Sequence, residues 1–572
     1  MNPLDFVVLL GTMAGIAAYG IWRTRGPQSL RTYLKGSETT SWVTIGLSVM
    51  ATQASAITFI STPGQGYESG LSFVQFYFGA PFALILIAAV FVPIYRRLNV
   101  YTAYEYLGKR YDAKTRLLAA ALFLLQRGLA AGITIYAPAI ILSTMLGWRL
   151  DLTIVLAGLV VILYTVLGGS EAVNLTQKYQ MAVIFGGMAA AFVVLLRKLP
   201  AGLSLNDAFA LAGNFHRMQA VDFSANVKER YTLWSGLIGG IFLQLSYFGT
   251  DQSQVQRYIS GASLRESRLG LMFNGVFKIP MQFSILLLGV MLFVFYQFER
   301  APLFFNQAAW NAALRHDAGD RLHGYEQEFA AIEAQKQASL QAWLAARHAG
   351  DRAAEAAARA ESQAAQSRGE TLRARARAAM QAAVPGAKGN DADYVFVSFV
   401  LQHLPHGLIG LLVAVFFAAA LSSNAAELNA LGSTTTVDFY RHVIRKQASD
   451  AHYVAASKWF TLFWGGVALA FALFANLVEN LIQAINIVGS IFYGVVLALF
   501  LLAFFVRRVG GTAVFWAAVG AQALVFLCYF LFTHRIAYLW YNLIGCAACV
   551  GLSLVIQATL RRSPPAAEAP SA

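Results

Sequence analysis

Apolar runs of membrane-crossing length alternate with short polar segments along nearly the whole chain. PLDFVVLLGTMAGIAAYGIW, LDLTIVLAGLVVILYTVL and MQFSILLLGVMLFVFYQF each approach the ~20 apolar residues that a helix needs to cross a bilayer. The pattern predicts thirteen such helices, at 4–22, 41–62, 72–95, 116–146, 151–168, 176–197, 232–256, 270–297, 407–436, 455–476, 480–505, 510–532 and 537–559. Residues 301–392 interrupt it. There AAIEAQKQASLQAWLAARHAG and DRAAEAAARAESQAAQSRGETLRARARAAM are charged, alanine-rich and strongly helix-prone, which predicts a helical pair outside the membrane.

Composition agrees with this pattern: 58% of the 572 residues are hydrophobic and 13% charged, against roughly a quarter charged in soluble domains. The expected fold class is an all-α polytopic membrane protein with a helical extramembrane insert. A net charge of +14 raises a nucleic-acid reading, and its distribution removes it. Arg96, Arg97, Lys109 and Arg110 follow span three, Arg257, Arg265 and Arg268 follow span seven, and Arg441, Arg445 and Lys446 follow span nine. Arg507 and Arg508, then Arg561 and Arg562, complete the series. Basic residues in short loops face the cytoplasm. The expected orientation in a cell (inner) membrane is therefore N-terminus outside, C-terminus cytoplasmic and 301–392 extracytoplasmic.

Arg23, Arg25, Arg31 and Lys35 come after the first apolar run, which predicts an uncleaved helix in place of a signal peptide. RARARAA lies among glutamate-bearing helix and is taken as a solvated face, although contact of the insert with an unknown protein stays open. Cys528, Cys546 and Cys549 all fall in the last two spans and are expected to be packing residues.

Two spans carry polar residues at mid-depth, where they are costly. One holds SVMATQASAITFISTPGQGY, residues 48–67, whose Pro63, Gly64 and Gly66 are expected to end the helix. The other holds AAALSSNAAELNALGSTTTVDFY, residues 418–440. Interrupted membrane helices free backbone carbonyls that can coordinate a cation. Sodium takes about five or six hard oxygen ligands, by the logic that gives calcium and magnesium oxygen shells. Ser422 and Ser423 are plausible donors. The competing reading is that their hydroxyls bond back to the preceding turn or help helices pack.

SVMATQASAITFIS, IYAPAIILS, YFGTDQSQVQRYISG and the 418–440 stretch, in this order, resemble the sodium:solute symporter family. That group includes the sodium/glucose, sodium/proline, iodide and sialic acid carriers. The resemblance runs from about Thr39 to Arg508 without the insert. It implies a LeuT-like 5+5 inverted-repeat core. The organisation it implies is a peripheral first helix and loop at 1–40, a first repeat at 41–197 and the start of a second at 198–300. After the insert come the remainder of the second repeat at 393–508 and two peripheral helices with a short tail at 509–572.

The resemblance also implies site residues. The main sodium site falls on Ala51 and Ala54 of the first core helix, and on Ala419, Ser422 and Ser423 of the eighth. Members with a second sodium carry an aspartate where this chain has Gln177, followed by Lys178. Glu427, one helical turn from Ser423, could replace that carboxylate or pair with Lys178. The ion pair is the expectation, because an unpaired buried lysine is costly. The solute pocket maps onto Gln53, Thr58, Tyr77, Gln244, Lys278 and Asn486, with Tyr247 and Phe248 as the inner aromatic gate. Arg127 either binds a solute carboxylate bidentately or pairs with a neighbouring helix.

The expected function is a sodium-coupled symporter importing a small polar organic solute, such as a sugar derivative, polyol or carboxylate, by alternating access. A proton-coupled carrier of the same fold would rely on Glu427 or Asp251. A transporter-like solute sensor is the other alternative. An enzyme is not expected, since the chain has neither a GxxxxGK[ST] loop nor an HExxH pair.

Overall fold

The computed structural model describes residues 2–23, 30–35, 40–315, 319–384, 388–474 and 480–560. The tail residues Arg561 and Arg562, and Arg25 near the start, lie outside the described residues. Among the described residues there is no strand, and each of the thirteen predicted spans falls on helix. Among the described residues, nine helical stretches are long and apolar enough to cross a membrane, and Pro3–Ile16, Leu150–Val166 and Ser235–Gly249 are shorter apolar helices.

The departures from a set of simple spans are informative. The second span is two helices, Trp42–Gln53 and Ala56–Ser69, separated at Ala54 and Ser55. Ala54 N still donates to Met50 O at 2.7 Å, and Ser55 then turns extended at φ −74°, ψ 175°. The break therefore comes before Pro63, which sits inside the second helix. Gly64 and Gly66 do not end that helix either. They let backbones meet: a Cβ on Gly64 would stand 2.0 Å from Ala392 O, and one on Gly66 would stand 2.4 Å from Leu286 O.

The seventh span breaks in the same manner. Gly240–Gly249 stops at Thr250, and Asp251 caps Gln252–Ile259 by accepting from Ser253 N at 2.9 Å. Spans two and seven open the two five-helix repeats that the resemblance implies, so the two breaks hold equivalent places. Spans five and six, by contrast, are one continuous helix, Leu150–Arg197, of 48 residues. At ~1.5 Å per residue that is about 72 Å of helix path, more than twice the thickness of the hydrocarbon core.

The insert is a helical hairpin, Gly319–Ala349 and Arg352–Ala383. Gly350 makes the turn at φ +73°, and Asp351 caps the second helix by accepting from Ala353 N and Ala354 N. The buried stripe Ala358, Ser362, Ala365, Gly369, Leu372 and Ala376 repeats every three or four residues, the seam spacing of close-packed helical pairs. Arg347 anchors the hairpin to the bundle by donating to Asp207 at 2.8 Å, and Gln363 donates to Asn214 O at 2.6 Å.

Candidate functional site

The break at Ala54–Ser55 lies against the helix Leu408–Thr434. Ser422 Oγ approaches Ala51 O at 3.5 Å, and Ser423 Oγ donates to Ala419 O at 3.0 Å. Ala51, Ala54, Ala419, Ser422 and Ser423 are all buried. Back-bonding of Ser423 to the preceding turn does not compete with ion binding. A hydroxyl has one proton to donate and two lone pairs to offer. The donor set is hard oxygen throughout, which fits sodium as cargo.

Gln177, fully buried, braces this contact. It accepts a short hydrogen bond from Ser48 Oγ, and its Nε2 donates to Thr52 Oγ1 at 3.2 Å and to Ser422 O at 3.3 Å. Where an aspartate would present only acceptors, this amide thus presents its NH2 to Thr52 and Ser422. Lys178 is half-buried, with its ammonium 4.8 Å from the Tyr179 ring centre.

Glu427 is held by a different cation from the one expected. Arg127 Nη1 donates to Glu427 Oε1 at 3.1 Å, while its Nη2 pairs with Asp251 Oδ2 and donates to Tyr493 Oη at 2.8 Å. The expected Glu427–Lys178 pair is therefore replaced by a buried triad of one guanidinium and two carboxylates. Buried charge survives only when compensated in this way. The Arg127 guanidinium also lies 5.4 Å from the Tyr247 ring centre.

Beside the break is a cavity of about 60 Å³. The sequence-predicted residues Gln53, Thr58, Tyr77, Gln244, Tyr247 and Asn486 line it, together with Arg127 and Glu427. Phe248 and Lys278 stand behind this wall. Phe248 packs on Tyr247 with ring centres 5.0 Å apart, and Lys278 Nζ lies 5.4 Å from the Tyr77 ring centre. Buried polar atoms around the cavity have no protein partner: Gln53 Oε1, both amide atoms of Gln244, Asn486 Nδ2 and Glu427 Oε2. Orphaned polar atoms of this kind are costly unless a ligand or water completes them.

Thr52, Ser55 and Tyr493 also line the cavity and were not singled out from the sequence. Tyr493 stands seven residues after Asn486 on one helix, and that i, i+7 spacing was the available signal.

The model of the Sodium:solute symporter family matches residues 33–314 and 369–520. Human Sodium-coupled monocarboxylate transporter 1 is 35% identical over 275 residues, 47% of this chain and 44% of that protein. The human Sodium/iodide cotransporter is 31% identical over 291 residues, 51% of this chain and 45% of that protein. These matches span less than half the length of either relative. Sodium-coupled monocarboxylate transporter 2 of Bos taurus is 27% identical over 531 residues, 90% of this chain and 72% of that protein. Among solved structures, a Na+-coupled sialic acid symporter in a substrate-bound outward-open state superposes with a TM-score of 0.74 at 21% identity. The match covers 99% of this chain and all of that one, a likeness of fold. Two family segments that together cover most of the chain, a LeuT-like bundle and a broken first core helix lead to one assignment: this multi-pass membrane protein belongs to the sodium:solute symporter family.

Proposed function

We propose that the chain is a sodium-coupled secondary active symporter that brings a small polar organic solute across a cell membrane by alternating access. The observation that carries this reading is the proximity of Ser422 to Ala51 across a helix break whose neighbouring residues line the solute cavity. Sodium held by Ala51, Ala54, Ala419, Ser422 and Ser423 ties the broken helix to Leu408–Thr434. Gln53 and Thr58 on one side, and Glu427 on the other, then face the solute in a fixed geometry. Each cargo favours the arrangement the other needs, which is reciprocal coupling. The basic loops support the N-terminus-outside orientation, with the insert extracytoplasmic.

The charge balance supports an uncharged, hydroxyl-rich solute ahead of a carboxylate. Arg127 already faces two carboxylates, so it has little left to offer a solute carboxylate, and Lys278 stands behind Tyr77 outside the cavity lining. The amides of Gln53, Gln244 and Asn486 suit hydroxyls. A single sodium per cycle is supported by Gln177, which stands where members with a second sodium carry an aspartate and donates its NH2 to Thr52 and Ser422.

The unfolding temperature of purified protein against sodium, with potassium and choline as controls, tests the reading without a known solute. A ligand at a hundred times its Kd stabilises by about 2.7 kcal/mol. The rise should be sodium-selective and lost in Ser423→Ala. The unpartnered Glu427 Oε2 favours one competing reading, proton coupling. A pH-dependent but sodium-independent response, abolished in Glu427→Gln, would establish that reading in its place.

A further inference from the structure

On the face of the bundle that carries the insert lies a second chamber, about 370 Å³ by the measure that gives the solute cavity 60 Å³. Its floor is the end of Ala56–Ser69, with Tyr67 and Glu68, and the bundle residues Arg217 and Gln297. Its roof is the hairpin, through Glu333, Lys336 and Arg377. The family match stops at 314 and resumes at 369. Glu333 and Lys336 therefore come from a segment the family model does not match, and the chamber depends on this chain's own insertion.

The walls are charged but incompletely paired. Lys336 meets Glu333 at 2.8 Å, whereas Arg217 meets Glu370 at 3.9 Å and Arg377 meets Asp391 at 3.5 Å. The last two are longer than a charge-assisted hydrogen bond of about 2.7–2.9 Å. Spare donors and spare acceptors coexist. Arg217 Nε and Arg377 Nε have no partner, and neither do Glu333 Oε2 and Gln297 Oε1. Glu333 and Gln297 are 4% and 1% exposed. The rings of Tyr67, Phe293 and Phe329 supply an apolar flank.

A lone anion or a lone cation would satisfy one half of this set and leave the other half orphaned. A ligand carrying both a carboxylate and an ammonium satisfies both halves without changing the net charge. We propose that the chamber between the insert and the bundle is a binding site for a small zwitterion of the amino-acid type. It is separate from the central solute cavity, and it stands whether or not the chain proves sodium-coupled.

The test is calorimetric titration of the full-length protein in sodium-free choline buffer. The probes are the standard amino acids and glycine betaine, with acetate and methylammonium as half-ligands. At least one zwitterion should bind with unit stoichiometry, and neither half-ligand should bind comparably. Glu333→Gln should weaken binding about tenfold, the loss expected for one hydrogen bond to a charged group. Gln366→Ala, at the half-buried edge where Lys336 donates to Gln366 Oε1 at 3.1 Å, should also weaken it and does not rely on a buried change. Gln244→Ala, in the central cavity, should leave it intact. Three results would each overturn the proposal: no binding by any zwitterion of the panel, acetate binding as tightly as the zwitterion, or binding lost in Gln244→Ala and retained in Glu333→Gln.

Discussion

Arg127→Leu removes the cation at the centre of the buried triad and leaves Asp251 and Glu427 facing one chamber, each residue of the three being 2% exposed. Removing one partner of a buried pair costs about 3–5 kcal/mol. Protonation sets the ceiling. Neutralising two ordinary carboxylates at pH 7 costs roughly 8 kcal/mol, at 1.36 kcal/mol per pH unit for each. The loss should therefore lie at or above about 3 kcal/mol at pH 7 and shrink as pH falls toward 5, because protonation becomes cheaper. Reversible denaturant unfolding in detergent micelles, followed by tryptophan fluorescence, reads the difference as a free energy. Asp251→Asn with Glu427→Gln in the Arg127→Leu background should recover most of the loss. The decisive comparison is a double-mutant cycle. If Arg127→Leu and Glu427→Gln add within about 0.5 kcal/mol, the two residues are not coupled and the triad is wrong. A coupling found between Lys178 and Glu427 would then restore the pairing expected from the sequence.

Gln177→Glu replaces the NH2 that faces Thr52 and Ser422 with a carboxylate. It should steepen the sodium dependence of the unfolding temperature, and an unchanged dependence would count against Gln177 as the block to a second ion. Gly64→Ala brings a methyl to 2.0 Å from Ala392 O. It should lower stability by about 1–3 kcal/mol, and a neutral result would mean the two backbones are not that close. Asp207 is held below the usual carboxylate range, first by the Ser204 hydroxyl and then by Arg347 and His348. Its contribution to hairpin docking is complete above its unfolded pKa near 4 and is lost as pH falls below that. Proteolysis of the hairpin should accelerate there in the wild type, with no such pH step in Asp207→Asn. Replacing residues 319–383 by a short linker should retain the sodium-dependent stabilisation, because the hairpin supplies no residue of the ion site. Loss of that effect in a folded deletion would make the hairpin part of the coupling.

Hydropathy alone placed the thirteen predicted stretches on helix, and among the described residues nine helical stretches are long and apolar enough to cross a membrane, because a helix that must be apolar for ~20 residues leaves a strong signal in the sequence. Small and hydroxyl residues around Ser48–Ser61 marked an interrupted helix, yet the break is at Ala54–Ser55 and not at Pro63. Proline is tolerated inside membrane helices where neighbours satisfy the freed groups, and whether neighbours do so is a tertiary fact. The glycines at 64 and 66 read as terminators, but they serve backbone contact with partners more than two hundred residues away. The triad was hidden for the same reason. Arg127, Asp251 and Glu427 were each noticed, but their meeting depends on helices brought together across separations of 124 and 300 residues. Local spacing offered Lys178 as a partner, and three-dimensional packing supplied Arg127.

The two halves of the broken first core helix are held by different partners, and that difference bears on how access could alternate. The half Ala56–Ser69 is clamped at several points. Ser61 donates a short bond to Asp393, and Asp393 also receives Lys388 at 2.6 Å. Gln65 accepts from Asn480 and Gln483 at 2.8 Å each, and Gly66 lies against Leu286. The half Trp42–Gln53 is tied by Gln177 to Ser48 and Thr52, Ser422 to Ala51, and Glu266 to the Trp42 amide at 2.5 Å. One of those four ties, Ser422 to Ala51, lies at the oxygens proposed for sodium. An ion joining Ala51 to Ser422 therefore adds a tie to Trp42–Gln53 and none to Ala56–Ser69. Release of the ion would favour a tilt of Trp42–Gln53 about Ala54–Ser55, where the bond from Ala54 N to Met50 O is the last of that helix. On this geometry the hinge, the ion site and the edge of the solute cavity are one place in the chain, and a single bound ion can report on all three.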